Sequence, residues 1–219
     1  MSSLLVIAGT GTGVGKTHIS CAVLRAWCAG GASVSGYKPI ESGVDGSGPT
    51  DQDRLDAAAT FHVKHPRLEL RAALSPHLAA RDEGVVLDWR PCVEHARSLR
   101  AGCQGVLVEL AGGLFTPLTD STRNADLAIA LHPTSLVLVA MDRLGVLHDV
   151  DVCLRAAPDL RIRAIALSAP ATPDASTGRN AEELTRLLGR PVVSFPRADP
   201  AAPGSMVAAQ QLMTAVRLR

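Results

Sequence analysis

A glycine-rich segment near the start of the chain carries the residues with the clearest chemistry. It reads Gly-Thr-Gly-Thr-Gly-Val-Gly-Lys-Thr from Gly9 to Thr17 and follows an apolar run from Leu4 to Ala8. Glycines let the backbone adopt positive φ values and approach an anion closely, so that successive N–H groups point into one concavity. The Lys16 ammonium can reach the outer phosphates of a nucleotide, and the Thr17 hydroxyl can bind Mg²⁺. The pattern predicts a phosphate-binding turn that is one residue longer than the strict motif.

Charged side chains also follow two other predicted strands. Lys38 comes after the second strand, and Glu109 follows the apolar run that begins at Gly105. Phosphoryl transfer requires cations and a metal ion that face the developing negative charge. Lys38 can supply a second cation, and Glu109 can supply a hard oxygen ligand for Mg²⁺. Asp53 is the predicted third metal ligand. Asp51, two residues earlier, is the open alternative, since either acid could instead cap a helix.

Composition narrows the classes of protein to which the chain can belong. With 219 residues, of which 47% are hydrophobic, it can bury a core, which excludes intrinsic disorder. A net charge of +1 and 3% aromatic residues give no basis for a nucleic-acid or acidic-membrane partner. The first residues lack the features of a signal peptide, and the five scattered cysteines form no C-x-x-C pair. We therefore expect reduced thiols and a cytoplasmic protein.

The elements that position these residues alternate between apolar strands and helices. Strands are predicted at residues 4–8, 32–37, 105–109, 135–141, 162–167 and 191–195. Helices are predicted after the first turn, from 51, from 75, and at 88–100, 124–131, 145–155, 180–188 and 207–216. The segment 62–74 shows no clean period. This alternation predicts an α/β fold with a doubly wound, mainly parallel sheet flanked by helices, in a single domain over residues 1–219.

The polar segments cluster at the carboxyl ends of the predicted strands. They are Gly9–Thr17, Lys38–Ser42, Glu109–Gly113 and Asp142–Gly145. Ligands of doubly wound sheets bind beyond this edge. We therefore expect the four segments to meet at one site.

Four motifs in this order resemble those of the dethiobiotin synthetase family, a group of P-loop enzymes. The phosphate loop, including its extra residue, is similar to the family's loop, and Tyr37–Gly43 is similar to its second motif. Ser75-Pro76-His77 and the run from Val108 to Leu118 resemble two more. The resemblance covers most of the chain and implies a P-loop NTPase fold with ATP-dependent ring closure in biotin synthesis.

The resemblance also implies a reaction. An amine of 7,8-diaminopelargonate captures CO₂ as a carbamate, and the carbamate oxygen attacks the γ-phosphate of Mg-ATP. The second amine then closes the ureido ring and releases phosphate. The family is homodimeric, with its sites at the subunit interface.

Residue roles follow from the same resemblance. The implied catalytic residues are Thr12, Lys16, Lys38 and Ser42. The implied nucleotide-binding residues are Gly11, Thr12, Gly13, Val14, Gly15, Lys16, Thr17, His18, Glu109, Ser168 and Pro196. The implied substrate-binding residues are Thr12, Lys38, Ser42, Gly112, Gly113, Gly145, Val146, Leu147 and His148. The implied metal ligands are Thr17, Asp53 and Glu109.

Three positions depart from the family pattern. Leu110 replaces the first glycine of Glu-Gly-Ala-Gly-Gly, where a Cβ is expected to narrow the approach to the phosphates. His148 replaces an asparagine, and the family's adenine-reading asparagine is absent from Leu167–Pro170. We therefore expect a relaxed choice of nucleobase. Two alternatives stay open: a switch or partition ATPase, which would carry a lysine at the position of Gly11, and a catalytically weakened paralogue that binds nucleotide.

Overall fold

Strands and helices alternate along the computed structural model, which describes residues 2–218. The strands are β1 (Ser3–Gly9), β2 (Val34–Tyr37), β3 (Ile40–Ser42), β4 (Leu68–Leu70), β5 (Gly105–Glu109), β6 (Ser135–Met141), β7 (Ile162–Ser168) and β8 (Val192–Phe195). The helices are α1 (Lys16–Ala29), α2 (Asp51–Ala58), α3 (Pro76–Asp82), α4 (Arg90–Gly102), α5 (Asn124–Leu131), α6 (Val146–Ala156), α7 (Asn180–Leu188) and α8 (Pro203–Ala215). Among residues 2–218, no helix combines the length and apolarity needed to cross a bilayer.

The main sheet has six strands in the order β2-β5-β1-β6-β7-β8, and every neighbouring pair is parallel. From β1 the chain crosses to the edge strand β2, returns to β5 between them, and then continues through β6 and β7 to β8 on the other side of β1. The carboxyl end of β1 therefore lies at a topological switch point, where doubly wound sheets open a crevice for ligands. The predicted fold class is confirmed.

Both faces of the sheet are covered by helices, so its central strands are buried on two sides. In β1, Leu4, Val6 and Ala8 pack toward helices α3–α7, whereas Leu5 and Ile7 pack toward α1, α2 and α8. A strand that is buried on both faces reads as a continuous apolar run, because neither set of alternating side chains meets water. This explains why the central strands could be predicted from the sequence.

A second, two-stranded sheet was not predicted. It pairs β3 with β4 in parallel, with Ile40 opposite Leu68 and Ser42 opposite Leu70. Each strand has three residues, which is too short to display a period, and β4 lies within the segment 62–74. Several predicted boundaries also shift: β2 begins at Val34 rather than at residue 32, α4 covers Arg90–Gly102 rather than 88–100, and α8 covers Pro203–Ala215 rather than 207–216. The small sheet borders the site described next.

Candidate active site

The phosphate loop connects β1 to α1, as the glycine pattern predicts. Gly13 and Gly15 adopt φ values of 72° and 90°, in the left-handed region that favours glycine. A Cβ at Gly15 would lie 2.7 Å from the Cβ of Ser168, so the close approach of the loop to the end of β7 requires glycine there. Lys16 begins α1, and its Nζ donates to the carbonyl oxygen of Gly11 at 3.1 Å. The loop therefore folds around its own lysine.

The electrostatic surroundings of Lys16 favour the binding of an anion. Burial, together with the neighbouring Lys38 ammonium, lowers the pKa of Lys16 to about 8, although Glu109 and Asp51 act in the opposite direction. A phosphate group in the loop would offset the cost of holding this charge away from water. Backbone N–H groups at the start of α1 add partial positive charge. The loop thus has the chemistry of a polyphosphate cradle.

A charged cluster lies beside the loop and joins three separate elements. Lys38 Nζ contacts Glu109 Oε1 at 2.5 Å and Asp51 Oδ2 at 3.0 Å, and the Thr17 hydroxyl donates to Glu109 Oε1 at 2.8 Å. Burial alone would lower the pKa of Lys38, but Glu109 and Asp51 outweigh it and the pKa is raised. Burial would raise the pKa of Asp51, but Lys38 outweighs it and the pKa is lowered. Lys38 and Asp51 are therefore held in their charged forms.

The oxygen atoms of this cluster fit a magnesium ion. Glu109 is fully buried, and its Oε2 has no hydrogen-bond partner within the described part of the chain. Among the described residues, no three His, Cys, Asp or Glu side chains form a metal-binding group. Mg²⁺ typically uses one or two carboxylates and completes its shell with phosphate oxygens and water. Glu109, Asp51 and the Thr17 hydroxyl match that donor set.

Asp53, the predicted metal ligand, lies away from this cluster. Its Oδ2 accepts from the Thr50 N–H at 2.8 Å, while the Thr50 hydroxyl accepts from the Asp53 N–H at 3.1 Å. This capping box fixes Asp53 on the outer side of α2, with its side chain 50% exposed and 3.9 Å from Arg67. Asp51, the first residue of α2, instead places its Oδ2 3.0 Å from Lys38 Nζ.

One cavity of about 730 Å³ brings together most of the predicted catalytic and phosphate-binding residues. Its lining contains Thr12, Gly13, Gly15, Lys16, Thr17, His18, Lys38, Ser42, Glu109 and Gly112. The segment Ala73–Pro76 adds a wall, so the Ser-Pro-His motif begins at the site. Asp51, the open alternative to Asp53, also lines the cavity, and so do Glu41 and Arg54, which were not among the predicted site residues. The signal for Glu41 was its place in the second motif, and the signal for Arg54 was its position near the start of a predicted helix.

A second cavity of about 490 Å³ lies on the other side of the loop. It is lined by Gly13, Gly15, His18, Met141, Ser168, Ala169, Pro196, Arg197, Ala198 and Asp199. The Ser168 hydroxyl donates to the Val14 carbonyl at 2.7 Å, and the Ala169 N–H donates to the Phe195 carbonyl at 3.0 Å. These donors are therefore already used within the protein. Arg197 directly follows the predicted Pro196, but neither Arg197 nor Asp199 was among the predicted site residues.

The glycine turn after β5 corrects the expectation for Leu110. The Leu110 side chain is 1% exposed and packs in the core beneath the sheet edge, and it does not line the phosphate-side cavity. Its Cβ therefore does not narrow the approach to the phosphates. The constraint falls on Gly113 instead: a Cβ there would lie 3.1 Å from the Thr10 carbonyl oxygen and 3.2 Å from the Gly11 Cα. Gly113 thus lets the turn pack against the phosphate loop.

The remaining predicted substrate residues lie apart from both cavities. Gly145, with a φ of 93°, precedes α6, and Val146, Leu147 and His148 form the first turn of that helix. None of the four lines either cavity of this chain. The exposed Leu144 next to them, 76% accessible, leaves this helix start open to the surroundings.

The sheet order, with a glycine loop cradling a lysine between β1 and α1, defines a P-loop NTPase. Solved structures agree in fold: MinD from Pyrococcus horikoshii, in complex with Mg-ADP, has a TM-score of 0.61 at 17% identity over 98% of this chain and 96% of that chain. A ParA family ATPase from Chlorobium tepidum has a TM-score of 0.54 at 14% identity over 100% and 93%. A family model described as an AAA domain matches residues 3–197.

Curated relatives narrow the class. The ATP-dependent dethiobiotin synthetase BioD of Anaeromyxobacter sp. (strain Fw109-5) is 40% identical over 85% of this chain and 86% of that protein. The enzyme of the same name from Caulobacter sp. (strain K31) is 37% identical over 97% of this chain and 95% of that protein. The chain belongs to the ATP-dependent dethiobiotin synthetase family, as its four motifs predict.

Proposed function

We propose that this enzyme uses ATP and CO₂ to convert 7,8-diaminopelargonate to dethiobiotin, with release of ADP and phosphate. The observation that carries the proposal is the charged cluster of Lys38, Glu109 and Asp51 beside the phosphate loop, within one cavity. A carbamate and a γ-phosphate are both anionic, and their reaction requires cations on both sides of the transferred group. Lys16 and Lys38, from two strand ends, supply them.

On the substrate side, Lys38, Thr12 and Ser42 would hold the carbamate and the amines. The Ser42 hydroxyl is buried in the cavity wall and has no hydrogen-bond partner among residues 2–218, so it is available to a ligand. Lys38 stays protonated because Glu109 and Asp51 surround it, and it can neutralise the carbamate before and during its attack. The wall formed by Ala73, Leu74 and Pro76 offers apolar contact to a hydrocarbon chain.

On the nucleotide side, the loop N–H groups and Lys16 would bind the phosphates. Thr17, Glu109 and Asp51 would hold Mg²⁺, which supplies positive charge to the phosphate oxygens when it is bound. Asp51 takes the role first predicted for Asp53, because its carboxylate is the one that lies against Lys38. The cavity lined by His18, Ser168 and Pro196 would receive the base.

The proposed enzyme is a homodimer in the cytoplasm. The first turn of α6, from Gly145 to His148, would face the substrate carboxylate of the opposite subunit, since a helix N-terminus attracts anions and this one is not part of the lining of its own chain's cavity. Five unpaired cysteines support a reducing compartment.

The test is phosphate release measured with diamine and bicarbonate added separately and together. We expect release, and dethiobiotin, only when both are present. A switch ATPase would hydrolyse ATP without diamine, and a paralogue without turnover would release nothing. Lys16→Ala should lower turnover about a hundredfold or more. The exposed Lys64→Ala is the matched control and should retain wild-type turnover. Near-normal turnover of Lys16→Ala would contradict the phosphate-loop assignment.

A further inference from the structure

Gln52 is a buried polar residue that the reaction does not use directly. It is the second residue of α2 and is 1% exposed. Its Oε1 accepts from the Lys38 N–H at 2.6 Å, and its Nε2 donates to the Gly36 carbonyl at 3.0 Å and to Asp56 Oδ1 at 2.9 Å. Its acceptor and both of its donors are therefore engaged.

These bonds close the outer edge of the sheet. Among residues 2–218, β2 is an edge strand that pairs only with β5, so one side of its backbone has no neighbouring strand there. The Gly36 carbonyl and the Lys38 N–H are two residues apart and point to the same side of the strand. The side-chain amide of Gln52 binds both groups, as the N–H and the C=O of one residue in a neighbouring parallel strand would. The end of β2 is thus fixed to α2 by a side chain and not by a strand.

The same bridge sets the geometry of the charged cluster. Lys38, whose backbone Gln52 holds, contacts the carboxylate of Asp51, which directly precedes Gln52 on α2. On the far side, Glu41 Oε1 accepts from the Asp51 N–H at 2.6 Å. The first turn of α2 is therefore attached to β2 and to β3 at once. A shift of this turn would move Asp51 relative to Lys38 and Glu109.

We propose that Gln52 is a positioning residue for the metal-binding end of the site. It holds the Lys38 backbone and the Asp51 carboxylate at the separation that Mg²⁺ and the transferred phosphate require. The inference rests on the proposed function for its kinetic readout only. The hydrogen bonds of Gln52 go to Gly36, Lys38, Glu41 and Asp56, outside the phosphate loop, so Gln52 should affect the metal and the chemical step while leaving nucleotide phosphates bound.

Gln52→Met tests this, because methionine has a similar size and forms none of the three hydrogen bonds. Binding of Mn²⁺ to the ADP complex, measured by electron paramagnetic resonance, reports metal affinity without turnover. We expect the Mn²⁺ dissociation constant to rise about fivefold or more and kcat to fall about tenfold or more. The dissociation constant for metal-free ADP should stay within about twofold. Gln52→Glu keeps the acceptor and loses both donors. It should also raise the Mn²⁺ dissociation constant and lower kcat.

Leu55→Ala is the matched control for loss of stability. Leu55 lies on the same helix, is fully buried in the core and takes no part in the cluster. Its replacement should lower the melting temperature and leave Mn²⁺ affinity and kcat per folded enzyme unchanged. If both Gln52 variants behave like Leu55→Ala, the positioning role is overturned. If the wild type makes no dethiobiotin, the proposed function fails, and the Mn²⁺ measurements still decide the role of Gln52.

Discussion

At the residue scale, Asp51 and Asp53 show that two acidic residues in the same helical turn can have different roles. Asp53 satisfies the Thr50 N–H and so stabilises the start of α2. Asp51 gives its carboxylate to Lys38, and its own N–H is satisfied by Glu41. A carboxylate at a helix start can therefore serve the helix or the site, according to which partner lies within reach.

We predict that Asp51→Asn, which keeps the size and removes the charge, raises the Mg²⁺ concentration for half-maximal activity about tenfold or more. Asp53→Asn is the matched control. It should weaken the cap, lowering the free energy of unfolding by about 0.5–1 kcal/mol, and leave the magnesium midpoint unchanged. The measurement is a magnesium titration of initial rates for both variants. A shifted midpoint for Asp53→Asn with none for Asp51→Asn would return the ligand role to Asp53.

The choice of nucleobase is also decided by a few atoms. An asparagine amide can donate to adenine and accept from its amino group at once, whereas Ser168 already donates to Val14 and Pro196 has no N–H. We predict that kcat/KM for ATP, CTP and GTP differs by about tenfold or less, which is about 1.4 kcal/mol. Steady-state kinetics with each triphosphate measures this. A preference of about a thousandfold for ATP would mean that Arg197 or Asp199 reads the base.

At the scale of elements, a histidine pair joins β2 to the helices beside it. His65 Nδ1 lies 2.9 Å from His95 Nε2 on α4, and its ring stacks on Tyr37 of β2 with centroids 5.0 Å apart. Burial lowers the pKa of His65 to about 4, although Asp56 of α2, 3.7 Å away, acts in the opposite direction. His95 and Arg67 add to the lowering. The packed form of this cluster therefore requires a neutral His65.

This cluster predicts a loss of stability in acid. The pKa of His65 is lower in the folded chain than in the unfolded chain, where it is 6.5, so the unfolded chain binds more protons between these values. The stabilisation is complete above pH 6.5 and is lost as the pH falls toward 4. Between pH 7 and pH 5 the His65 contribution should fall by about 2 kcal/mol.

Urea unfolding of the wild type and of His65→Gln at pH 7 and pH 5 tests this. The free energy of unfolding should fall more in the wild type than in His65→Gln between pH 7 and pH 5. At pH 7 the variant should have the lower free energy of unfolding of the two. His62→Gln, at an exposed position three residues away, is the matched control and should follow the wild type. If the free energy of unfolding falls by the same amount between pH 7 and pH 5 in the wild type and in His65→Gln, His65 does not cause the loss of stability in acid.

At the scale of the whole molecule, the site of one chain would be completed by α6 of its partner. We predict that Lys38→Ala and His148→Glu chains are each inactive alone and regain activity when mixed. With random exchange of subunits, recovery should approach about a quarter of wild-type activity. Gly145, whose φ is 93°, is left unchanged because a side chain there would strain the start of the helix.

The control mixes Lys38→Ala with Lys16→Ala, whose lesions fall in the same half of the site. No heterodimer of these chains contains an intact site, so no activity should return. Subunit exchange is followed by mass spectrometry of differently tagged chains. Exchange without recovery in the first mixture would contradict a site shared between subunits.

The sequence by itself determined the features that depend on neighbours along the chain. Strands β1, β5 and β6 could be predicted from their apolar runs, because parallel strands are buried on both faces. The phosphate-binding loop from Gly9 to Thr17 could be predicted from its glycines, because positive φ values and close approach of the backbone require glycine at particular positions. The order of the motifs sufficed to predict the family.

Only the tertiary structure decided where side chains point. Whether Asp51 or Asp53 meets Lys38 depends on which residue begins α2 and on the angle of that helix across the sheet edge. Leu110 turns into the core because the strand before it fixes the direction of its Cβ. Gln52 meets the edge of β2 across 14 residues of chain. These contacts join residues that are distant in sequence, so no local pattern encodes them; they follow from how the packed elements exclude water and satisfy buried polar groups.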